Sequence, residues 1–434
     1  MEKVYEKYKD SGLNWIGDVP EHWLVSEYKF VSQVQNGFAF KSAMFDKNVG
    51  FPILRIRDIT SGNISTFYKG DYSDDYIVQK GDLLIGMDGD FNIRWWDKEN
   101  ILLNQRCCRI IENEKAVKRF LYYSLPFNLQ IINDLTYFTT VKHLSSGDIN
   151  NAKLPLPSPQ EQTQIANYLD HKTGLIDAII AQKEDLIKKL KEQRQAIINE
   201  AVTKGLNKDV KLKDSGIEWL GEIPEHWEVI KLFGLCYLVR GNSSFKKDEL
   251  LSNGTYVALQ YGKTYKVNEV NEKYKFYVND EFYKESQIVN YGDTIIISTS
   301  ETIEDLGHSV FYNRKDLGLL GGEQLLLKAK NNKINPKYLF YSTKVFLKDL
   351  RKNATGVKVY RFNIHDLKNV FTPVPSILEQ NLIVKHIETK SATIDKVIIR
   401  SQTSIQKLKE YRQSLISEAV TGKIDVRDWQ ATKS

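Results

Sequence analysis

The sequence predicts an α+β fold made by tandem duplication. A mixed α/β module is followed by a long helix, the pair is then repeated, and the two long helices pack as an antiparallel coiled coil. Three observations carry this prediction. A tryptophan-containing motif occurs twice, a helical segment occurs twice, and that segment has apolar residues at heptad spacing.

Residues 11–23 read SGLNWIGDVPEHW and residues 215–227 read SGIEWLGEIPEHW, with eight of thirteen positions identical. Four of the chain's seven tryptophans lie here: Trp15, Trp23, Trp219 and Trp227. Residues 161–203 and 379–421 form a second pair, identical at 19 of 43 positions and both ending in Glu-Ala-Val-Thr. The first repeat is offset by 204 residues and the second by 218, so 14 residues are inserted in the second copy. The period far exceeds that of a solenoid. Each copy is therefore a domain with an appendage, giving four segments: a first module over 1–157, a helical region over 158–210, a second module over 211–375 and a helical region over 376–434.

Each module has short strand-like runs, at 51–59, 82–87 and 106–111 in the first and 254–261, 293–298 and 323–329 in the second. Gly81-Asp82 and Gly292-Asp293 precede equivalent strands as turn pairs. Helical stretches follow at 116–134 and 335–350, so each module reads as strand-rich first and helical later.

In the helical regions Ile176, Leu190 and Ile197 form one seven-residue ladder with Lys183 as its polar member, and Ile180, Ile187 and Ala201 form another with Arg194. Ile394, Leu408 and Leu415, and Ile398, Ile405 and Ala419, repeat them, with Ser401 at the position of Lys183. Two such stripes predict a coiled-coil seam, and a polar member at one rung can fix its register. Ser158 and Ser376 lie where helix caps are wanted, Glu161 stands where a capping box needs it, and Gly205 and Gly422 are stops. From Ile176 to Ala201 the helix spans about 37 Å at roughly 1.5 Å per residue. One turn of B-DNA is about 34–36 Å.

Composition sets the function classes. With 41% hydrophobic and 27% charged residues the 434-residue chain has the make-up of an ordinary globular protein. No apolar run reaches the roughly 18 residues of a membrane span, so no membrane partner is expected. The opening MEKVYEKYKDSG predicts no secretory signal. Three cysteines, Cys107, Cys108 and Cys236, have neither a disulfide framework nor metal-ligand spacing, which suits a reducing, cytoplasmic compartment. A net charge of +6 permits a polyanionic partner without demanding one, since 55 acids nearly balance 61 bases.

The candidate contacts to such a partner are polar residues in expected loops. The first copy offers Lys41, Arg55, Arg57, Lys69, Arg94, Arg106, Lys142 and His143. The second offers Arg240, Gln260, Tyr261, Lys263, Arg314, Lys358 and Arg361. Lys and Arg meet phosphates anywhere and guanine edges specifically, while Asn and Gln read adenine. Gln260 and Tyr261 beside Lys263 suit base reading. Any single loop cation is ordinarily just solvated. The joint pattern of two divergent modules, many loop bases and a rigid separator is what points to nucleic acid.

Catalytic motifs are imitated rather than met. Gly262-Lys263-Thr264 ends like a phosphate-binding loop, but position 257 is Val257 where a glycine is required. Asn335-Pro336-Lys337-Tyr338 is better read as a helix start, with Asn335 as cap and Pro336 in the first turn. His22 and His226, locked beside Trp23 and Trp227, suit packing or capping. No zinc spacing, nucleophile elbow or paired-carboxylate nuclease signature is found, which favours binding over catalysis.

These residues resemble the specificity (S) subunits of Type I restriction–modification systems over essentially the whole chain. The motif G-x-x-W-x-G-x-x-P-x-x-W is present as Gly12 to Trp23 and as Gly216 to Trp227. The P-x-x-E-Q exit stands at Pro155–Gln162 and, less closely, at Pro373–Gln380, where Ile377-Leu378 replace Pro159-Gln160. The resemblance implies that each module is a target recognition domain reading half of an asymmetric, bipartite double-stranded DNA site. It also implies that the helices set the spacer and that the chain docks two methyltransferase (M) subunits, with restriction (R) subunits joining for cleavage. On this reading the chain is not an enzyme and holds no cofactor; S-adenosylmethionine, ATP and Mg²⁺ belong to the partner subunits. The motif residues around Trp15, Pro20 and Trp23 are then structural or near a partner, not base readers. One rival is a non-catalytic coiled-coil scaffold that binds only proteins. Another is a fused DNA methyltransferase with a hidden site.

Overall fold

The computed structural model describes residues 3–135, 142–330, 333–356 and 358–431. The chain divides into two compact units, one of Met1–Lys183 with Gln402–Ser434 and one of Glu184–Ser401. Each long helix, Pro159–Lys204 and Ile377–Val420, therefore contributes one half to each unit.

In the first unit, a four-stranded antiparallel sheet runs Ile93–Trp95, Leu83–Gly86, Cys107–Glu112, Ser32–Asn36. A five-stranded sheet runs Phe45–Asp46, Phe67–Tyr68, Phe51–Leu54, Ile101–Leu103, Ile77–Val78, and within it Phe51–Leu54 and Ile101–Leu103 are parallel. Leu54, Val78, Leu84, Trp96, Ile101, Leu103 and Cys107 form a core shared by the two sheets. The second unit repeats the plan. Its five-stranded sheet runs Cys236–Arg240, Gln324–Ala329, Thr294–Ile297, Ser309–Tyr312, Glu269–Val270. Its four-stranded sheet runs Tyr277–Val278, Tyr256–Leu259, Gly318–Leu320, Ile288–Val289. The inner strands are short because the turns cut them. Asp82 and Asp293 accept the backbone N–H of Gln79 (2.9 Å) and Asn290 (2.8 Å), folding the chain at the preceding Gly-Asp pairs. Helices Lys118–Leu135 and Pro336–Leu350 follow the sheets, and Asn335 caps the second through the N–H groups of Lys337 and Tyr338.

The long helices begin as the serines predict, with Ser158 Oγ accepting Glu161 N and Ser376 Oγ accepting Glu379 N, each at 3.3 Å. The expected capping box does not close. Glu161 instead turns its carboxylate to Tyr5 Oη (2.6 Å), Trp23 Nε1 (3.1 Å) and His22 Nε2 (3.1 Å), because these three donors, two of them in the tryptophan motif, outcompete one backbone amide. Glu379 meets His226 in the same way at 3.0 Å. The next residue ties helix to module. Gln162, with no exposed surface, accepts from Val117 N (2.8 Å) and donates to the carbonyls of Lys115 and Pro157 (both 2.9 Å). Gln380 accepts from Asn335 N (2.7 Å) and donates to Lys333 and Pro375 (both 2.9 Å).

The heptad ladders are mostly buried, with Leu190, Ile197 and Leu408 half-buried. Ile176, Ile180, Ile187, Ile394, Ile398 and Ile405 are each 9% exposed or less, and Ser401 is buried. Within each unit the helix halves run antiparallel. In the first, Asp177 pairs with Arg412 (2.9 Å), while Tyr168 meets Trp429 edge-on at 5.3 Å. In the second, Arg194 pairs with Asp395 (2.7 Å), and Gly205 lies against Glu379 and Trp227. Asp177 and Asp395 occupy one position of the repeat, and Arg194 and Arg412 another, so one ion pair is made twice. The helix stops are left-handed glycines, Gly205 at φ +76° and Gly422 at φ +75°. Gly422 lies against Pro20 and Trp23, and Asp425 N donates to Lys3 O at 2.7 Å.

Two predictions follow from this packing. Gln162→Ala or Gln380→Ala strands buried backbone groups and should each cost about 1–3 kcal/mol in urea unfolding; wild-type stability in both variants would show that the bracket carries no weight. Lys344 donates to Ser309 O (2.6 Å), and burial, followed by the Arg194 charge, pushes its pKa down to about 7. The unfolded chain binds this proton near pH 10, so the contribution to stability is intact above that pH, shrinks as pH falls towards 7, and is level below. Lys344→Met should remove this part of the slope between pH 7 and 9.5, and parallel wild-type and variant curves would count against it.

Candidate nucleic-acid interface

At one end of each module's inner strands, separate chain segments meet through the same backbone bonds. In the first unit Met87 N, just past Leu83–Gly86, donates to Arg106 O (2.9 Å), and Leu144 N donates to Met87 O (2.7 Å). In the second, Ser298 N donates to Glu323 O (3.2 Å), and Phe362 N donates to Ser298 O (3.1 Å). The chain leaving the outer strand closes the group, with Gly37 N on Cys107 O and Gly241 N on Gln324 O, both 2.9 Å. Only glycine fits there: a Cβ would lie 2.0 Å from Asn104 O at Gly37 and 1.9 Å from Gly321 O at Gly241.

The side chains on this shared frame differ. In the first unit Asp88, Arg106 and His143 converge: Arg106 Nη1 reaches Asp88 Oδ2 at 3.1 Å, and His143 Nδ1 reaches Asp88 Oδ1 at 2.7 Å. The equivalent positions in the second unit hold Thr299, Glu323 and Arg361. Thr299 Oγ1 donates to Glu323, and the Thr299 strand pairs with Arg361. Arg106 and Glu323 are exposed and have left-handed backbones, with φ of 70° and 60°.

Of the predicted contact residues, Arg106, Lys142, His143 and Arg361 lie at these two ends, and the others lie elsewhere in the same modules. Lys142 adjoins His143, bonds Asn133 and carries the carbonyl that accepts Gly89 N (3.1 Å). Arg55 and Gln260 occupy one position, each following a parallel inner strand. Arg55 is half-buried with its N–H on Asp58 (3.1 Å), and Gln260 Nε2 donates to Phe245 O (3.1 Å). Tyr261 stacks on Tyr265 with centroids 5.8 Å apart. Burial, then the charges of Tyr265, Glu301, Asp305 and Glu323, raise the Tyr261 pKa. Lys263 lies over the Phe276 ring at 4.6 Å. Arg57 is exposed and reaches Ser65 Oγ at 3.3 Å. Lys41, Arg240 and Lys358 are exposed. Lys69 is committed to Asp46 (2.6 Å), whose carboxyl it holds down to about 2 with help from two backbone amides.

Two candidates are corrected. Arg94 turns inward, its Nη1 on the carbonyls of Ile59 and Thr60 (both 3.1 Å), where it caps a short helical turn. Arg314 is 4% exposed and bonds Tyr274 O (2.9 Å), Tyr277 Oη (3.2 Å) and Asp316. Both are structural, because each turns its terminal Nη donors onto groups inside its own module. Sequence reasoning missed Asp88, Thr299 and Glu323. A search for bases passes over an acid and a threonine, and only the strand pairing brings them to the same place as Arg106.

The model of the family described as "Type I restriction modification DNA specificity domain" matches residues 20–189 and 224–406. The chain belongs to this family. It is 32% identical to the Type I restriction enzyme EcoBI specificity subunit of Escherichia coli, over 97% of this chain and 90% of that one. It is 25% identical to the MjaVIII specificity subunit of Methanocaldococcus jannaschii, over 94% and 95%. A solved structure described as "Structural basis underlying complex assembly and conformational transition of the type I R-M system" shares the fold, with a TM-score of 0.67 at 17% identity, covering 94% of this chain and 99% of that one. Each matched span of this Type I specificity chain takes in most of one module and the first part of the helix after it.

The three thiols are buried, and burial pushes Cys107 and Cys236 up to about 12, so they stay protonated and unreactive. Among the described residues no helix is long and apolar enough to cross a membrane. The inward arginines can be told from surface ones by stability. Arg94→Ala and Arg314→Ala should each lower unfolding free energy by about 1.5–3 kcal/mol, whereas Lys358→Ala should change it by no more than about 0.5 kcal/mol. Equal, small effects in all three would contradict the assignment.

Proposed function

We propose that this chain is the DNA-reading, non-catalytic subunit of a Type I restriction–modification complex. Each module reads one half of an asymmetric, bipartite double-stranded site. The long helices hold the halves at a fixed spacing, and the chain docks two methyltransferase subunits and, through them, restriction subunits. S-adenosylmethionine, ATP and Mg²⁺ act on those partners, and the chain's part is to choose where adenine methylation and cleavage occur. The working compartment is the cytoplasm, where the DNA is.

The observation that carries this reading is the doubled strand-end frame with divergent side chains. One backbone geometry offers Asp88, Arg106 and His143 in one module and Thr299, Glu323 and Arg361 in the other. A surface selected for one shared partner would keep its side chains alike. Two surfaces selected for two different half-sites keep the frame and change the chemistry, since bases are told apart by donor and acceptor pattern. The helix pairing supports a spacer role, because a coiled coil with an ion pair made twice is stiff and fixed in register.

The test is a map of methylated adenine in cells carrying the partner methyltransferase, with this chain, without it, and with residues 1–157 exchanged for those of another family member. The expected result is a split motif that vanishes without the chain and changes in one half only on exchange. A map that ignores the chain's presence, or an exchange that rewrites both halves, would defeat the proposal.

A further inference from the structure

The two left-handed corners carry opposite charges at one position of the repeat. Arg106 links Ile101–Leu103 to Cys107–Glu112, and Glu323 links Gly318–Leu320 to Gln324–Ala329. Strand pairing fixes the equivalence: Cys107 lies opposite Gly86 and Gln324 opposite Ile297 on matching inner strands. The carbonyl of each corner residue accepts the N–H just past that strand, from Met87 in one unit and Ser298 in the other. The backbone need is thus the same in both, and it is a need for positive φ.

Glycine meets that need without cost, whereas a side chain at positive φ is strained. The second corner even has Gly321 and Gly322 next to the strained position, yet Glu323 occupies it. Neither side chain serves the core, since both are exposed. Both are nonetheless aimed. Asp88 takes Nη1 of Arg106 on both carboxylate oxygens (3.1 and 3.2 Å), leaving Nη2 and Nε outside those bonds. Thr299, at the position of Asp88, donates to one oxygen of Glu323, leaving the other outside that bond. The third member changes in step, His143 beside the arginine corner and Arg361 beside the glutamate corner. A strained, exposed, oriented side chain that the fold does not require fits a recognition role. A guanidinium edge matches the O6 and N7 acceptors of guanine, and a carboxylate matches the N4 amino donor of cytosine.

We infer that Arg106 and Glu323 are the matched base-reading positions of the two modules, Arg106 selecting a guanine in one half-site and Glu323 a cytosine in the other. This rests on the DNA-reading function proposed above and adds which residues discriminate and between which bases. Asp88 and Thr299 are positioning residues that hold the readers in place.

Glycine variants test this without endangering the fold, because glycine relieves the strain at each corner. The full complex with its methyltransferase is assembled with wild-type chain, R106G, E323G, R106Q and E323Q, and methylated sites are sequenced alongside thermal melts. The expected result is a wild-type split motif and glycine variants that melt no lower than wild type. R106G should lose discrimination ten-fold or more at one guanine of one half, and E323G at one cytosine of the other, with the remaining letters kept. R106Q should move the preference at its letter from guanine towards adenine, as an amide pairs with adenine. E323Q should weaken the cytosine preference.

Unchanged motifs in folded R106G and E323G would overturn the inference while leaving the DNA-reading function standing. Uniform loss of methylation with every letter retained would also overturn it, assigning these residues to the phosphate backbone. A wild-type complex that yields no split motif would remove the function itself, and this inference with it.

Discussion

Gln162 and Gln380 spend their amide groups on backbone at the junction between a long helix and a sheet module, and neither has exposed surface. A buried amide left unpaired costs more than the bond itself returns, so this junction has one satisfactory geometry. The glutamate before each glutamine then has its direction fixed and takes the histidine of the tryptophan motif. Helix direction, the seating of Trp23 and Trp227, and the start of the neighbouring helix at Val117 or Asn335 all descend from these two adjacent side chains. The copies are not equal in detail. Tyr5 and Trp23 share Glu161, whereas the buried Trp227 Nε1 has no partner among the described residues.

The strand ends follow the opposite logic. Their hydrogen bonds are made by backbone groups, which any residue supplies. Close approaches demand glycine at Gly37 and Gly241 and the two corners need positive φ, but no bond of the frame depends on a particular side chain. A frame of this kind tolerates replacement of Asp88 by Thr299 and of Arg106 by Glu323 at little cost to the fold. Stability is assigned to the junction and variation to the strand ends, so the strand-end side chains can change without unfolding the protein.

The duplication, the helix pairing and the strand positions were legible because each leaves a periodic trace. Ile176, Ile180 and Ile187 announce a seam, and the paired Gly-Asp turns announce matching strands. The capping box at Glu161 was misread because its real partners, Tyr5, His22 and Trp23, are far away in sequence. Arg94 and Arg314 were misread for a similar reason: an arginine looks alike in the sequence whether it faces water or a carbonyl, and Arg94 lies in the strand Ile93–Trp95, not in a loop. Asp88, Thr299 and Glu323 escaped notice because a search for cations cannot find an acid whose meaning comes from the position it shares with an arginine.

The division of the chain also bears on the order in which it can fold during synthesis. The second unit, Glu184–Ser401, is one continuous stretch, so every residue it needs has been synthesised before Gln402 is added. The first unit is emitted earlier but stays incomplete. Its half-helix waits for Arg412 opposite Asp177, and the surface around Pro20 and Trp23 waits for Gly422. The part of the protein begun first therefore cannot be completed until residues 402–434 join it, and until then the apolar surface around Pro20 and Trp23 is left uncovered.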